Sequence, residues 1–225
     1  MKKITPTFSL IFILTILFSF CTFAQNLKTT LSQKQIEDFK LAASTQYDDG
    51  ANKSELKAYS SGLRKKKAFG LVTVKVYIAE LLLAKPENFI AHEDQALASL
   101  KSAGPVQLRL TMLRDLTGKQ ISDSFQDALL PYDLKEENYS KELKELFKII
   151  SGINTFKTGE VFSLAVSWTE SKATMLIQKP DEKIIKISGD SLFATQLFQI
   201  WFGKPADPKK VEDKLIDLKK DLLKT

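Results

Sequence analysis

The chain has 225 residues, 44% hydrophobic and 27% charged, with a formal net charge of +6. This is ordinary globular composition, and it carries no internal repeat or low-complexity tract. One cysteine and one histidine exclude a disulfide framework, a thiolate metal cluster and a histidine-based triad.

The N-terminus reads as a targeting segment. Lys2 and Lys3 precede a nearly unbroken apolar run from Phe8 to Phe20, which is too short and wrongly flanked to span a membrane comfortably. Thr22-Phe23-Ala24 then offers small residues where a signal peptidase reads, so residues 1–24 are expected to be a secretory signal and residues 25–225 a single domain. The expected location is periplasmic or secreted. The alternatives are an uncleaved signal or lipidation at Cys21, which the bulky Phe20 before it opposes. Cleavage leaves 31 basic and 27 acidic side chains, a charge of +4, and removes Cys21, the only cysteine. The remaining domain has no further candidate transmembrane segment, is expected to be a monomer and must be stabilised by its core alone, for which about 200 residues suffice.

In chain order, Gln33 to Ala43 suggests a short helix, with Ile36, Phe39 and Leu41 on one face and Ser32 as its cap. Tyr47 to Ser54 is turn chemistry. Gly62 to Leu83 leads into a strand in which Val72, Val74, Val76 and Ile78 alternate with Leu71, Thr73, Lys75 and Tyr77. The β-branched set is expected to face the core and the polar set a partly wet cleft. His92 to Ser102 suggests a helix, and Val106 to Met112 a half-buried strand with Gln107, Arg109 and Thr111 outward. Ile121, Phe125, Ala128, Leu129 and Tyr132 fall at helical spacing up to Pro131, and Lys141 to Ile150 forms another amphipathic helix. Val161–Thr169, Ala173–Gln178 and Ile184–Ser188 read as an antiparallel meander. Ser191 would cap an apolar helix, Leu192 to Phe202, and Pro208 opens a last helix with Val211, Leu215, Leu218 and Leu222 as its stripe. Strands followed by helices, then strands and helices again, argue for one α+β domain.

Three stretches recur in a familiar order: Gly62-Leu63-Arg64-Lys65-Lys66 leading to Val76-Tyr77-Ile78-Ala79-Glu80-Leu81, then Thr117-Gly118-Lys119-Gln120 opening a helix, then Ile200-Trp201-Phe202-Gly203. Together they resemble the chalcone isomerase-like family, in particular its exported bacterial members. The resemblance implies an α+β open-faced β-sandwich, with a long antiparallel sheet packed against a layer of helices and a ligand cleft between them. In plant relatives an arginine on the early segment pairs with the substrate's negative charge. A threonine on the next strand, and a tyrosine and an asparagine on the following helix, position substrate and water. Relatives without isomerase activity keep the arginine and bind fatty acids.

Carried onto this chain, the arginine is Arg64. Thr73 lies beside the threonine position, which the best register gives to Val72. The tyrosine and asparagine positions fall on Ile121 and Ala128. Losing those polar groups removes donors that a cyclisation needs. The resemblance therefore points to a non-catalytic protein without cofactor or metal, binding a small amphipathic carboxylate such as a fatty acid through Arg64, Thr73, Tyr77, Ile121 and Ala128. Read without the family, Arg64 is one of four solvated basic residues, Thr73 and Tyr77 are a solvent face, Ile121 and Ala128 are ordinary core, and Arg109 is a surface charge, with a second anchor as its alternative. An enzyme of the intramolecular lyase or isomerase type, using Arg64 with Tyr77, Thr73 or Lys75, is the alternative. A structural or partner-binding envelope protein is the third reading, and it predicts a filled cleft and an exposed apolar patch. Alternating lysines and acids at the C-terminus argue against nucleic acid.

Overall fold

The structure is a computed structural model that describes residues 25–68, 72–205 and 207–224. The signal-like segment and Leu71 lie outside the described residues. The described strands form one antiparallel sheet in sequential order: β1 (Asn26–Ile36), β2 (Phe39–Asp48), β3 (Lys53–Ala68), β4 (Val72–Leu83), β5 (Val106–Met112), β6 (Val161–Trp168), β7 (Lys172–Gln178) and β8 (Ile184–Asp190). Helices α1 (Ala96–Ser99), α2 (Gly118–Leu129), α3 (Lys141–Ser151), α4 (Ser191–Phe202) and α5 (Asp213–Leu222) cover one face, the α+β arrangement expected. No described helix is long and apolar enough to cross a membrane.

The other face is closed by the sheet itself. β1, β2 and the start of β3 roll over it, so that Leu27, Ala42, Tyr47 and Leu56 pack on Leu82, Ala165 and Leu176 in a second, smaller core. The roll is fastened at three places. The Ala42 amide donates to Glu80 at 2.6 Å, Gln178 Nε2 donates to the Leu27 carbonyl, and Asp49 of the β2–β3 turn accepts from Ser167 at 2.7 Å.

The helix expected over Gln33–Ala43 is instead the β1–β2 hairpin. Glu37 and Asp38, both at positive φ (51° and 66°), make the two-residue turn that matches strand twist, and Ile36 pairs with Phe39. Ser32, read as a cap, donates across the hairpin to the Leu41 carbonyl. His92–Ser102 is mostly turn, with only Ala96–Ser99 helical. Asp190 rather than Ser191 caps α4, accepting from the Leu192 amide at 2.8 Å.

The facing of β4 also differs from simple alternation. Arg64 pairs with Tyr77 and Lys65 with Lys75, so Val76 is an extra residue that shifts the phase. Beyond this bulge Tyr77, Ala79, Leu81 and Leu83 enter the main core, while Val72 is 58% exposed and Val76 only partly buried.

Two glycines set the helix layer. At Gly118 an added Cβ would lie 2.1 Å from the Ile150 carbonyl oxygen and 2.3 Å from that of Ile153, so the start of α2 rests directly on the end of α3. The Thr117–Gln120 capping box fixes the same end. The Thr-Gly-Lys-Gln stretch is thus explained by packing. At Gly62 a Cβ would meet Leu218 and Asp221 at 2.8 Å, so α5 docks directly onto β3.

Candidate functional site

Arg64 and Tyr77 are cross-strand partners on β3 and β4, and the Val76 bulge turns Tyr77 towards the helices. Arg64 is only 6% exposed. Its Nη1 donates to the Lys65 carbonyl, and its Nη2 donates to Glu212 Oε2 at 2.6 Å. Glu212 precedes α5, with its side chain 34% exposed, and also accepts from the Lys67 amide. The end of α5 is thereby clipped to β3 beside the arginine.

The Tyr77 hydroxyl accepts from Trp201 Nε1 at 3.2 Å. Burial pushes the Tyr77 pKa up, partly offset by the Arg64 charge and the Trp201 hydrogen bond, so the phenol stays protonated and can donate. Trp201 stacks edge-on against Phe125 of α2, with centroids 5.1 Å apart. A line of groups therefore runs from a buried cation through a phenol into an aromatic interior.

Ile121, 2% exposed, belongs to that interior, and half-buried Ala128 packs against it. Thr73 does not join them. It pairs with Lys67 on the outer side of the bulge and is exposed. Lys75 is also exposed, and it meets Glu37 at 2.5 Å. The interior is packed: Phe125 is 2% and Trp201 0% exposed. Four cavities of about 1010, 680, 500 and 380 Å³ open on the surface, and neither Arg64 nor Tyr77 lines any of them.

Sequence reasoning missed Glu212, because nothing local links it to an arginine 148 positions away. Trp201, on the helix read as apolar, is core with a polar handle. Arg109 was read as a surface charge and is buried at 7%, ion-paired with Glu80. A lone acid within the apolar run Val76 to Leu83 was the available signal, since such a charge needs a buried partner.

Among solved structures, a fatty-acid binding protein of Arabidopsis thaliana has a similar fold. The TM-score is 0.54, over 87% of this chain and 99% of that one, at 15% identity. No curated protein matches the sequence. A family model described as chalcone isomerase-like matches residues 33–223. With that match across most of its length, on a rolled antiparallel sheet carrying a helix layer, the chain belongs to the chalcone isomerase-like family.

Proposed function

We propose that this protein is an exported, non-catalytic carrier of a small amphipathic carboxylate such as a fatty acid, with Arg64 and Tyr77 receiving the head group. The observation that carries the reading is the pairing of a buried guanidinium with a protonated phenol at the edge of an aromatic interior. A planar guanidinium and an O–H donor suit the two oxygens of a carboxylate, and the interior suits a tail. Ile121 and Ala128 supply apolar surface where the resemblance places a catalytic tyrosine and asparagine, which argues against isomerisation. Thr73, exposed and outside the bulge, belongs at most to the entrance.

Glu212 already holds the arginine, so binding is an exchange of one carboxylate for another. Glu212 is partly solvated and returns to water at little cost, and the tail enters as the side chains of α2 and α4 repack. The secreted or periplasmic location follows from the signal-like N-terminus, and the exported chain is expected to begin at Gln25.

The test is to purify the exported protein, extract it with organic solvent and identify bound lipid by mass spectrometry. A stoichiometric fatty acid is expected. Arg64→Ala should weaken binding by about 2–4 kcal/mol, whereas Glu212→Gln should strengthen it about tenfold by removing the competitor. The packed interior and the occupied arginine favour one second reading, a closed partner-binding protein. An empty protein that takes up no added fatty acid, in wild type and Glu212→Gln alike, would establish that reading and end the carrier one.

A further inference from the structure

On the outer side of the Val76 bulge the β3–β4 hairpin continues as a two-stranded arm. β2 pairs with β3 only as far along as Lys57, and β5 pairs with β4 only from Tyr77 onward. Lys65–Ala68 and Val72–Lys75 therefore have only each other as sheet neighbours. Lys66 lies opposite Val74, Lys65 opposite Lys75 and Lys67 opposite Thr73, so Val72 and Val74 share one face with Lys66 while the other lysines line the second face. Val72, 58% exposed, is the most exposed large apolar side chain among the described residues, and Val74 is half-buried.

A second basic segment meets this arm at its base. Glu212 accepts from Arg64 and from the Lys67 amide, and Asp213 pairs with the Lys67 ammonium at 3.4 Å. Lys209 and Lys210, both exposed, stand just before these two acids. The clip thus joins Lys65–Lys67 and Lys209–Lys210, far apart in the chain, into one basic surface. The acids around it are already engaged: Glu37 takes Lys75, Glu212 takes Arg64, Asp213 takes Lys67, and Asp207 accepts the Lys209 amide. Lys65, Lys66, Lys209 and Lys210 form no ion pair with a described residue. Over Arg64–Lys67, Lys75, Glu37–Asp38 and Asp207–Asp213, basic groups still outnumber acids by two. No residue of the arm or of the Lys209–Lys210 turn lines any of the four cavities, so this surface is not a pocket for a small molecule.

We infer that the arm and the Lys209–Lys210 turn form a docking surface for an anionic phospholipid bilayer. A soluble acidic protein would satisfy the lysines but gives no role to a valine left in water between them. A bilayer takes both groups. Val72 and Val74 enter the boundary of the acyl region, while the lysines lay their stems along it and reach the headgroup phosphates. The Arg64–Tyr77 pair lies at the base of the arm, beside the docked membrane. The inference goes beyond the carrier reading and stands apart from it, because docking needs no ligand in the interior.

The experiment titrates the exported chain with vesicles of equal parts phosphatidylglycerol and phosphatidylcholine, and with vesicles of phosphatidylcholine alone, reading bound protein by co-sedimentation. Binding should saturate on the anionic vesicles, weaken with added salt and be absent on the neutral ones. Lys65→Gln with Lys66→Gln should weaken it about thirtyfold, some fivefold per lysine. Val72→Ser should weaken it about fivefold. Lys141→Gln with Lys144→Gln, the same loss of charge at exposed positions of α3, should leave it close to wild type. Failure to bind the anionic vesicles overturns the surface, and so does equal weakening by the two lysine pairs, which would mean that only net charge matters. Binding to poly-glutamate as tight as to the vesicles, and indifferent to Val72→Ser, overturns it in favour of an acidic protein partner. Vesicle binding with this pattern, by a protein that yields no extracted lipid, would uphold the surface while the carrier reading fell.

Discussion

Gln107 lies between Leu82 of β4 and Ala165 of β6, within the smaller apolar core, and neither atom of its buried amide has a partner among the described residues. An amide desolvated without hydrogen bonds costs about 1–3 kcal/mol, so Gln107→Leu should raise stability by about 1–2 kcal/mol. A urea titration showing a higher midpoint at unchanged slope would bear this out, and a lower midpoint would refute it. Two positions along the same strand, Arg109 is the opposite case. Its charge is matched by Glu80, and removing either partner alone would strand a buried ion at about 3–5 kcal/mol. Both residues misled the sequence reading for one reason. Alternation along Val106–Met112 normally marks a wet face, but β1 and β2 cover it, and no residue near Arg109 in the chain announces that cover.

At the scale of elements, legibility followed how local the determining interactions are. The helices α2, α3 and α4 and the meander β6–β8 were readable because caps, turn residues and apolar spacing lie within each segment. The β1–β2 hairpin was not. Its turn is Glu37-Asp38, without the glycine that usually accompanies positive φ, and Ile36, Phe39 and Leu41 fit a helical face as well as a strand. In β4 one inserted residue, Val76, reversed the facing, and an inserted residue leaves no mark in composition. The Thr-Gly-Lys-Gln stretch, which helped suggest the family, proves to be a packing device with a measurable consequence. Replacing Gly118 by alanine would gain up to about 1 kcal/mol of helix propensity. The new Cβ would then press on two carbonyl oxygens at the end of α3, backbone atoms that cannot swing aside. Overpacking of that kind costs about 1–3 kcal/mol or more, so the balance is destabilising by about 2 kcal/mol. For a protein of this size the melting temperature should fall by about 4–8 °C. A variant that melts at or above the wild-type temperature would show that α2 and α3 can separate freely.

Across the whole molecule, each strand pairs with its sequence neighbours, so the ladder alone does not decide whether the sheet lies open or rolls up. Closure depends on the few bonds that join strands distant in sequence. The densest group is at Asp49, which is 2% exposed. Its carboxylate accepts from Tyr47, Ser167 and the Asn52 amide, and its carbonyl accepts from Lys186 of β8. Burial alone would raise its pKa, but the hydrogen bonds from Ser167, Asn52 and Tyr47 outweigh burial and hold it down to about 2. In the unfolded chain the group returns to the usual value of 3.8. A depressed folded pKa gives stability that is complete above the unfolded value and is lost as pH falls through the folded one. Asp49 should therefore contribute about 2 kcal/mol at neutral pH, lost between about pH 4 and pH 2. Asp49→Asn should be less stable than wild type at neutral pH, and the gap should narrow across that window. Other carboxylates titrate there too, so the difference between the two proteins isolates this one group. Urea unfolding of both at a series of acidic pH values reads it directly, and hydrogen exchange should show β1 and β2 opening first as the acid fastening is lost. Parallel pH profiles for the two proteins would mean that the apolar contacts of Leu27, Ala42 and Tyr47 close the roll without the carboxylate.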